Sequence, residues 1–316
     1  MQNDGGTEVT VFYRFRVPVL AAFLWLVSPV GVAADRLVVY TVNYPLQYFA
    51  QRIAGDHAEV VLPVPPDVDP AFWKPDATTI NDFQHADLIL LNGATYAKWV
   101  NRVSLPRRTL VDTSAGFSDR YIQTKGGATH SHGREGAHSH AGTAFTTWLD
   151  FSQAAEQARA VRDALSRIMP AQRDTFASNF LTLERDLLDL DARLKAIVAR
   201  DPARPLLASH PVYQYLARRY SLNLKSSVLW EPDAMPPETE WQVLAELREG
   251  HPATWMLWEG DPAPEIGERL QQLGVQSSVF DPCGNRPTAG NFLSVMSNNL
   301  ANIARVFDKE IVNQGG

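Results

Sequence analysis

Residues 171–198 read AQRDTFASNFLTLERDLLDLDARLKAIV, and the arrangement of the chain turns on them. Phe176, Phe180, Leu183, Leu187, Leu190, Leu194 and Ile197 recur at spacings that alternate between four and three, which draws one apolar stripe along a helix. Glu184, Arg185, Asp186, Asp189 and Asp191 fall on the other faces. Pro170 can open the helix and Asp201-Pro202 ends it. About 30 residues at ~1.5 Å each give a rod of roughly 45 Å, long enough to cross a two-lobed protein. A coiled-coil dimer would carry the same stripe; with only about three heptads, packing on the chain's own domains is the expectation, and so is a monomer.

Outward from this helix, both flanks show the same alternation. Before it, β-rich runs at Arg36–Val42, Glu59–Val64, Ala86–Asn92 and Thr109–Thr113 alternate with helical stretches at Pro45–Ala54, Asp76–His85 and Ala94–Val103. After it, strands are predicted at Arg204–Ala208, Ser226–Trp230, Thr254–Trp258 and Gln276–Phe280. Helices are predicted there at Val212–Tyr220, Glu238–Glu249, Glu265–Leu273 and Asn291–Phe307. The expected fold is α/β: two lobes, each with a mainly parallel four-stranded sheet and flanking helices, joined by one long backbone helix. The expected division is residues 35–169 for the first lobe, 170–200 for the linking helix and 201–316 for the second lobe.

Composition narrows the function classes. A chain of 316 residues with 29 Lys+Arg against 35 Asp+Glu has a net charge of −6 and no basic run to serve as a nucleic-acid footprint. Cys283 is the single cysteine, so an internal disulfide and a Cys-x-x-Cys site are both excluded. Residues 1–34 read as a secretory signal: Arg14 and Arg16 precede the apolar stretch Val17–Val32, and Val32-Ala33-Ala34 offers small residues for cleavage near Ala34. A retained membrane anchor fits less well, because the run is short and holds Pro18 and Pro29. No cysteine stands near this segment for lipid attachment. The expected location is the periplasm.

Gly126–Ala144 is different in kind. His130, His132, His138 and His140, half of the eight histidines, sit there in a Gly/Ser/Thr background that cannot build a core. A mobile surface loop is expected, able to bend neighbouring imidazoles onto a borderline cation such as Zn²⁺ or Cu²⁺ as a secondary metal site. His57, His85 and His251 fall in predicted turns or on helix faces and are expected to be solvated.

Several segments, in order, resemble the zinc/manganese solute-binding proteins of ABC importers. Val38-Val39-Tyr40-Thr41-Val42-Asn43-Tyr44-Pro45-Leu46 is similar to that family's first strand and turn, and Val64-Pro65-Pro66-Asp67-Val68-Asp69-Pro70 to its loop before the first metal ligand. Ala86-Asp87-Leu88-Ile89-Leu90-Leu91-Asn92-Gly93, the insert followed by Trp148-Leu149-Asp150, Ser209-His210 ahead of Tyr215, and Asp281-Pro282 complete the series. The resemblance implies two lobes about a long helix, a metal cleft between them, delivery to an ABC permease and its ATPase, and no enzymatic activity. It implies zinc as the transported ligand, with Mn²⁺ or another divalent metal as an alternative. It also implies His210 and Asp281 as metal ligands. At three other family positions this chain departs: Ala71 and Thr146 stand where histidines are typical, and Lys74 where a glutamate often follows.

Three repairs of that site are open. Cys283 lies two positions after Asp281, Glu231 and Glu259 each end a predicted strand, and with His210 and Asp281 they offer a chemically adequate set for Zn²⁺. An insert histidine could instead fold over the cleft. Alternatively, the cleft could take a metal complex or another solute, its lining including Trp73, Lys74, Thr146 and Trp148, with Trp230 and Trp258 near. Structural roles compete for the same residues: His210 as a hydrogen-bonded strand-end imidazole, Asp281 as a turn cap, and Cys283 as a small buried hydrophobe. An exported hydrolase would need Ser209, His210 and Asp281 to act together, but neighbouring side chains on a strand face opposite ways. No Gly-x-Ser-x-Gly or His-Glu-x-x-His is present.

Overall fold

The structure is a computed structural model that describes residues 1–2, 5–12, 36–124, 129–132, 136–139, 142–226 and 228–308, the stretches 129–132 and 136–139 by their backbone. Met1–Asp35 and Arg36–Gly316 are separate units. In the first, residues 1–2 and 5–12 are exposed and without regular structure; most of the expected export signal lies outside the described residues.

The second unit contains two parallel sheets. One has the order β2-β1-β3-β4, with β1 (Leu37–Thr41), β2 (Ala58–Val61), β3 (Leu88–Leu91) and β4 (Leu110–Asp112). Interior β3 reads Leu-Ile-Leu-Leu, a continuous apolar run that suits a strand covered on both faces. Its register aligns Val39 with Leu88 and Ile89 with Leu110. The helices α1 (Tyr44–Ala54) and α2 (Ala77–His85) connect these strands. Asn43 starts α1 by accepting the Leu46 N–H at 3.1 Å, with Pro45 in the first turn.

Between β4 and the next long helix lie two small antiparallel ladders. The pair β5 (Gln123–Thr124) and β8 (Gly142–Thr143) forms a base, and β6 (Thr129–His132) pairs with β7 (Gly136–Ser139) beyond it. Across 126–144 the backbone, where described, is a hairpin with His130 opposite His138. A ladder satisfies backbone N–H and C=O groups without needing an apolar core, so a Gly/Ser/His composition does not forbid it. His140 and the side chains of His130, His132 and His138 lie outside the described residues.

Then follow α3 (Phe151–Ile168), capped by Asp150, and α4 (Arg173–Val198). All seven residues of the stripe on α4 are buried. The sequence reading had no helix at α3, whose inward positions are mostly Ala154, Ala155, Ala158, Gln153 and Gln157, too short or polar to draw a stripe. The second sheet has the order β10-β9-β11-β12, with β9 (Pro205–Ala208), β10 (Asn223–Lys225), β11 (Trp255–Trp258) and β12 (Gln276–Val279). Around it are α5 (Gln214–Tyr220), α6 (Glu238–Gly250), α7 (Pro264–Gln272) and α8 (Phe292–Phe307). Among the described residues no helix is long and apolar enough to cross a membrane.

Three local expectations are corrected. Residues 94–103 do not form an α-helix: Ala94 and Thr95 take left-handed backbone angles, and only Lys98–Arg102 make a short 3₁₀ turn. The edge strand of the second sheet is β10, ahead of 226–230; Trp230 there donates its N–H to the Ser209 carbonyl from irregular backbone. His251 is not solvated, since its Nε2 bonds the Leu206 carbonyl at 2.8 Å inside the protein.

One apolar core runs through both sheets, holding Leu88 of β3, Leu187 of α4, Leu206 of β9 and Leu257 of β11 together. A smaller core, with Trp230, Trp241 and Trp258, covers another part of the second sheet. The C-terminal helix returns to the first lobe, where Phe292 meets Tyr48 and Phe49 with ring centroids 5.8 and 5.4 Å apart. The lobes therefore share packing as well as a connecting rod.

The stripe on α4 makes a paired test. Leu187→Ala empties a fully buried position and should lower unfolding stability by about 2–5 kcal/mol. Leu188→Ala, at a position 45% exposed on the same helix, should change it by no more than about 0.5 kcal/mol. Urea unfolding of the two variants measures both.

Candidate metal centre

Parallel strands expose their C-terminal ends together, and the second sheet uses this edge to gather polar side chains. His210 follows β9 by two residues, Glu259 comes directly after β11, and Asp281 lies two past β12. Glu231 arrives from the irregular segment after β10. All four face one cavity of about 580 Å³. Its other described lining residues include Asp67, Asp69, Pro66, Pro70, Tyr96, Phe145, Thr146 and Trp148, with no lysine or arginine among them.

His210 is buried, and its Nδ1 lies 3.0 Å from the Trp230 carbonyl. A carbonyl can only accept, so Nδ1 carries a proton and, in the neutral ring, Nε2 presents a lone pair. Glu231 Oε1 is 3.5 Å from Nε2, and Glu259 Oε1 is 3.7 Å from Nδ1. Two ligands each about 2.0–2.1 Å from a tetrahedral Zn²⁺ stand ~3.4 Å apart. The separation between Nε2 and Glu231 is thus the spacing that a shared cation bridges. With Nε2 protonated, the same geometry is an ion pair, so a cation and a proton compete for this position.

Asp281 is fixed on both sides. Its N–H donates to Asn299 Oδ1 at 3.0 Å, Asn299 Nδ2 donates to its carbonyl at 2.7 Å, and Cys283 N–H donates to its Oδ1 at 2.6 Å. Burial raises its carboxyl above the ordinary range, against the lowering effect of the Cys283 N–H. Tyr213, fully enclosed, donates to the Phe280 carbonyl at 2.9 Å; burial raises its hydroxyl first, and the charges of Glu259 and Asp281 add to that. Both carboxylates therefore lie close to the same phenol.

The facing side is built differently. Thr146 donates its hydroxyl to the Val212 carbonyl at 2.5 Å, and Trp148 donates its indole N–H to the Pro282 carbonyl at 2.7 Å. Both side chains line the cavity while tying the first lobe to the second. Trp73 and Lys74 do not line it: Trp73 packs against Trp99, and Lys74 is exposed. Cys283 also lies outside the lining. It is buried in the main core at a left-handed backbone position, and burial pushes its thiol far up, away from the thiolate that a metal requires. Trp230 and Trp258 sit behind Glu231 and Glu259 in the smaller core.

Two lining carboxylates, Asp67 and Asp69, were not singled out from the sequence. Their signal in the sequence is the acidic pair of Asp67-Val68-Asp69-Pro70, just ahead of Ala71. Asp69 Oδ1 accepts the Ala71 N–H at 2.8 Å. Among the described residues, no three His, Cys, Asp or Glu side chains are already gathered as a metal-holding group.

Known proteins resemble this chain in sequence and fold. The model of the family described as ZnuA, zinc-uptake complex component A, periplasmic, matches residues 39–306. The zinc-binding lipoprotein AdcA of Streptococcus pneumoniae is 25% identical over 301 residues, covering 92% of this chain and 60% of that protein. The chain thus spans about 60% of the length of the first curated relatives it matches. The high-affinity zinc uptake system protein ZnuA of Bacillus subtilis is 24% identical over 281 residues, covering 83% of this chain and 86% of that one. The crystal structure of the Zn(II)-bound ZnuA-like domain of S. pneumoniae AdcA superposes with a TM-score of 0.73 at 21% identity, over 87% of this chain and all of that one, which establishes the likeness of fold.

The raised carboxyl of Asp281 sets a pH-dependent test on metal-free protein. Burial penalises only the charged form, so Asp281 lowers stability at neutral pH, and the loss fades as pH falls through its folded pKa toward the unfolded value, about 4. Asp281→Asn keeps an Oδ1 for the Cys283 N–H and removes the charge. Its melting temperature should exceed that of the parent at pH 7, and the two should converge near pH 4 in calorimetric scans.

Proposed function

The chain belongs to the ZnuA family of periplasmic zinc-uptake components, and on that premise we propose that it captures a divalent transition-metal cation, zinc first, in the cavity between its two sheets. The observation that carries this reading is the cavity lining: one buried imidazole and five carboxylates, with no lysine or arginine among the described lining residues. Such a lining concentrates negative potential and favours cations. His210 and Asp281 are the principal ligands in this account, Glu231 completes the group at the 3.5 Å spacing already described, and Glu259, Asp67 and Asp69 supply charge around them. Zn²⁺ accepts nitrogen and oxygen ligands of this kind, and Mn²⁺ is a second cargo compatible with an oxygen-rich set.

The remaining features extend the same reading. A secretory signal cleaved near Ala34 would place the protein in the periplasm, and its partners would be an ABC permease and the associated ATPase. The protein would act as a monomer. The shared core and the rod α4 favour a small opening of the lobes over a wide hinge motion. The histidines at 130, 132, 138 and 140 would form a second, weaker metal-collecting site.

A second reading rests on the size of the cavity. About 580 Å³ falls in the range of small-molecule sites, roughly 300–1,000 Å³, and Tyr96, Phe145 and Trp148 line one side. A metal complex with a small organic ligand fits that space. Native mass spectrometry of protein taken from its host separates the two, through bare metal or an added organic mass.

Calorimetric titration of chelator-stripped protein with Zn²⁺ tests the first reading. The parent should take up one tightly bound equivalent in the cavity, and His210→Ala should weaken it by at least ~100-fold, or about 2.7 kcal/mol. Deleting residues 126–144 should leave that equivalent in place and remove only weaker binding. Parent protein that gives neither heat nor retained zinc contradicts the proposal.

A further inference from the structure

The segment from Asp281 to Arg286 behaves as a strap across the two lobes. It leaves β12 on the second sheet, yet Pro282, Gly284, Asn285 and Arg286 each bond to the first lobe. The Pro282 carbonyl accepts the Trp148 indole N–H at 2.7 Å, and the Gly284 carbonyl accepts the Tyr44 N–H, at the start of α1, at 2.9 Å. Asn285 Nδ2 donates to the carbonyls of Pro65 at 2.6 Å and Val68 at 2.8 Å, with Pro66 at 3.3 Å. Arg286 donates one guanidinium nitrogen to the Val64 carbonyl at 3.1 Å and another to the Leu62 carbonyl.

Two side chains thus reach five of the seven carbonyls of residues 62–68, the loop that carries Asp67 toward the cavity and continues into Asp69. A loop whose carbonyls are turned inward must find donors somewhere, and here the opposite lobe supplies them. The choice of partner matters. Arg286 has no carboxylate within ion-pair distance among the described residues, and burial pulls its guanidinium below the usual value. It grips backbone carbonyls and so leaves the carboxylates of the cavity to the cargo. At its other end, the strap begins at Asp281, whose Oδ1 receives the Cys283 N–H at 2.6 Å while Cys283 takes the left-handed turn.

We propose that Arg286 and Asn285 are positioning residues that form an inter-lobe clasp setting how long the cation is retained. They hold the loop bearing Asp67 and Asp69 against the segment that starts at Asp281. This rests on the metal-binding reading above and adds to it a pair of residues that act through the loop: Arg286 lies outside the cavity lining, and Asn285, which belongs to it, gives its amide N–H groups to loop carbonyls. Opening the clasp frees the loop to move away, which accelerates release more than it alters capture.

Stopped-flow release of Zn²⁺ into excess chromophoric chelator, paired with association rates, tests the clasp. Arg286→Gln and Asn285→Ala should each accelerate release about tenfold or more, with association changed by no more than about twofold. Arg286→Lys, which can still reach one carbonyl with its ammonium, should fall between Arg286→Gln and the parent. Arg200→Gln, which breaks a remote surface ion pair with Asp308, should release zinc at the parental rate. Parental release rates in both Arg286→Gln and Asn285→Ala overturn the clasp, as does equal acceleration by Arg200→Gln. If Arg286→Gln does not fold, Asn285→Ala and Arg286→Lys decide. A parent that takes up no zinc fails one step earlier, at the metal-binding reading, and the clasp proposal falls with it.

Discussion

Carboxylates of both lobes converge on one recess. Asp67, Asp69, Glu231, Glu259 and Asp281 line one cavity with His210, and the described lining has neither lysine nor arginine. Burying a charged carboxylate costs stability, and burial is what raises the Asp281 carboxyl above the ordinary range. A fold keeps such a feature when something else compensates it, and in the reading proposed above that is a bound cation. Thr146 and Trp148 direct their donors to carbonyls across the cavity.

The scaffold explains how these groups are held. Adjacent parallel strands deliver His210, Glu259 and Asp281 to one edge of the second sheet, while a loop of the first lobe brings Asp67 and Asp69. A core continuous through both sheets and the 26-residue α4 limit how far the lobes can part. The segment 281–286 adds a local tie between the Asp281 end of the second sheet and the opposite loop. Small relative movements are therefore the means by which this architecture can alter its grip.

Long apolar signals were legible in the sequence, and short or mixed ones were not. The stripe from Phe176 to Ile197 specified α4 because seven large side chains repeat at helical spacing. The helix α3 was invisible because alanine and glutamine fill its inward face. Val228-Leu229-Trp230 looked like a strand, yet Val228 and Trp230 serve the smaller core from irregular backbone. His251 looked solvated because nothing local reveals that the Leu206 carbonyl lies 2.8 Å from its ring. In the site, His210 and Asp281 stood out through their order in a resemblance to known families. Glu259 directly follows a strand and Glu231 a run that only looks like one in the sequence, while Asp67 and Asp69 stand in a proline-rich loop with no periodic signal.

The most direct test of the central claim is anomalous diffraction at the zinc edge from crystals of chelator-stripped protein reloaded with one equivalent of Zn²⁺. The account requires a single strong peak inside the cavity, at about 2.0–2.2 Å from His210 Nε2 and from a carboxylate oxygen of Asp281. A cavity without anomalous signal, with zinc held only by the histidines of residues 126–144, would contradict it.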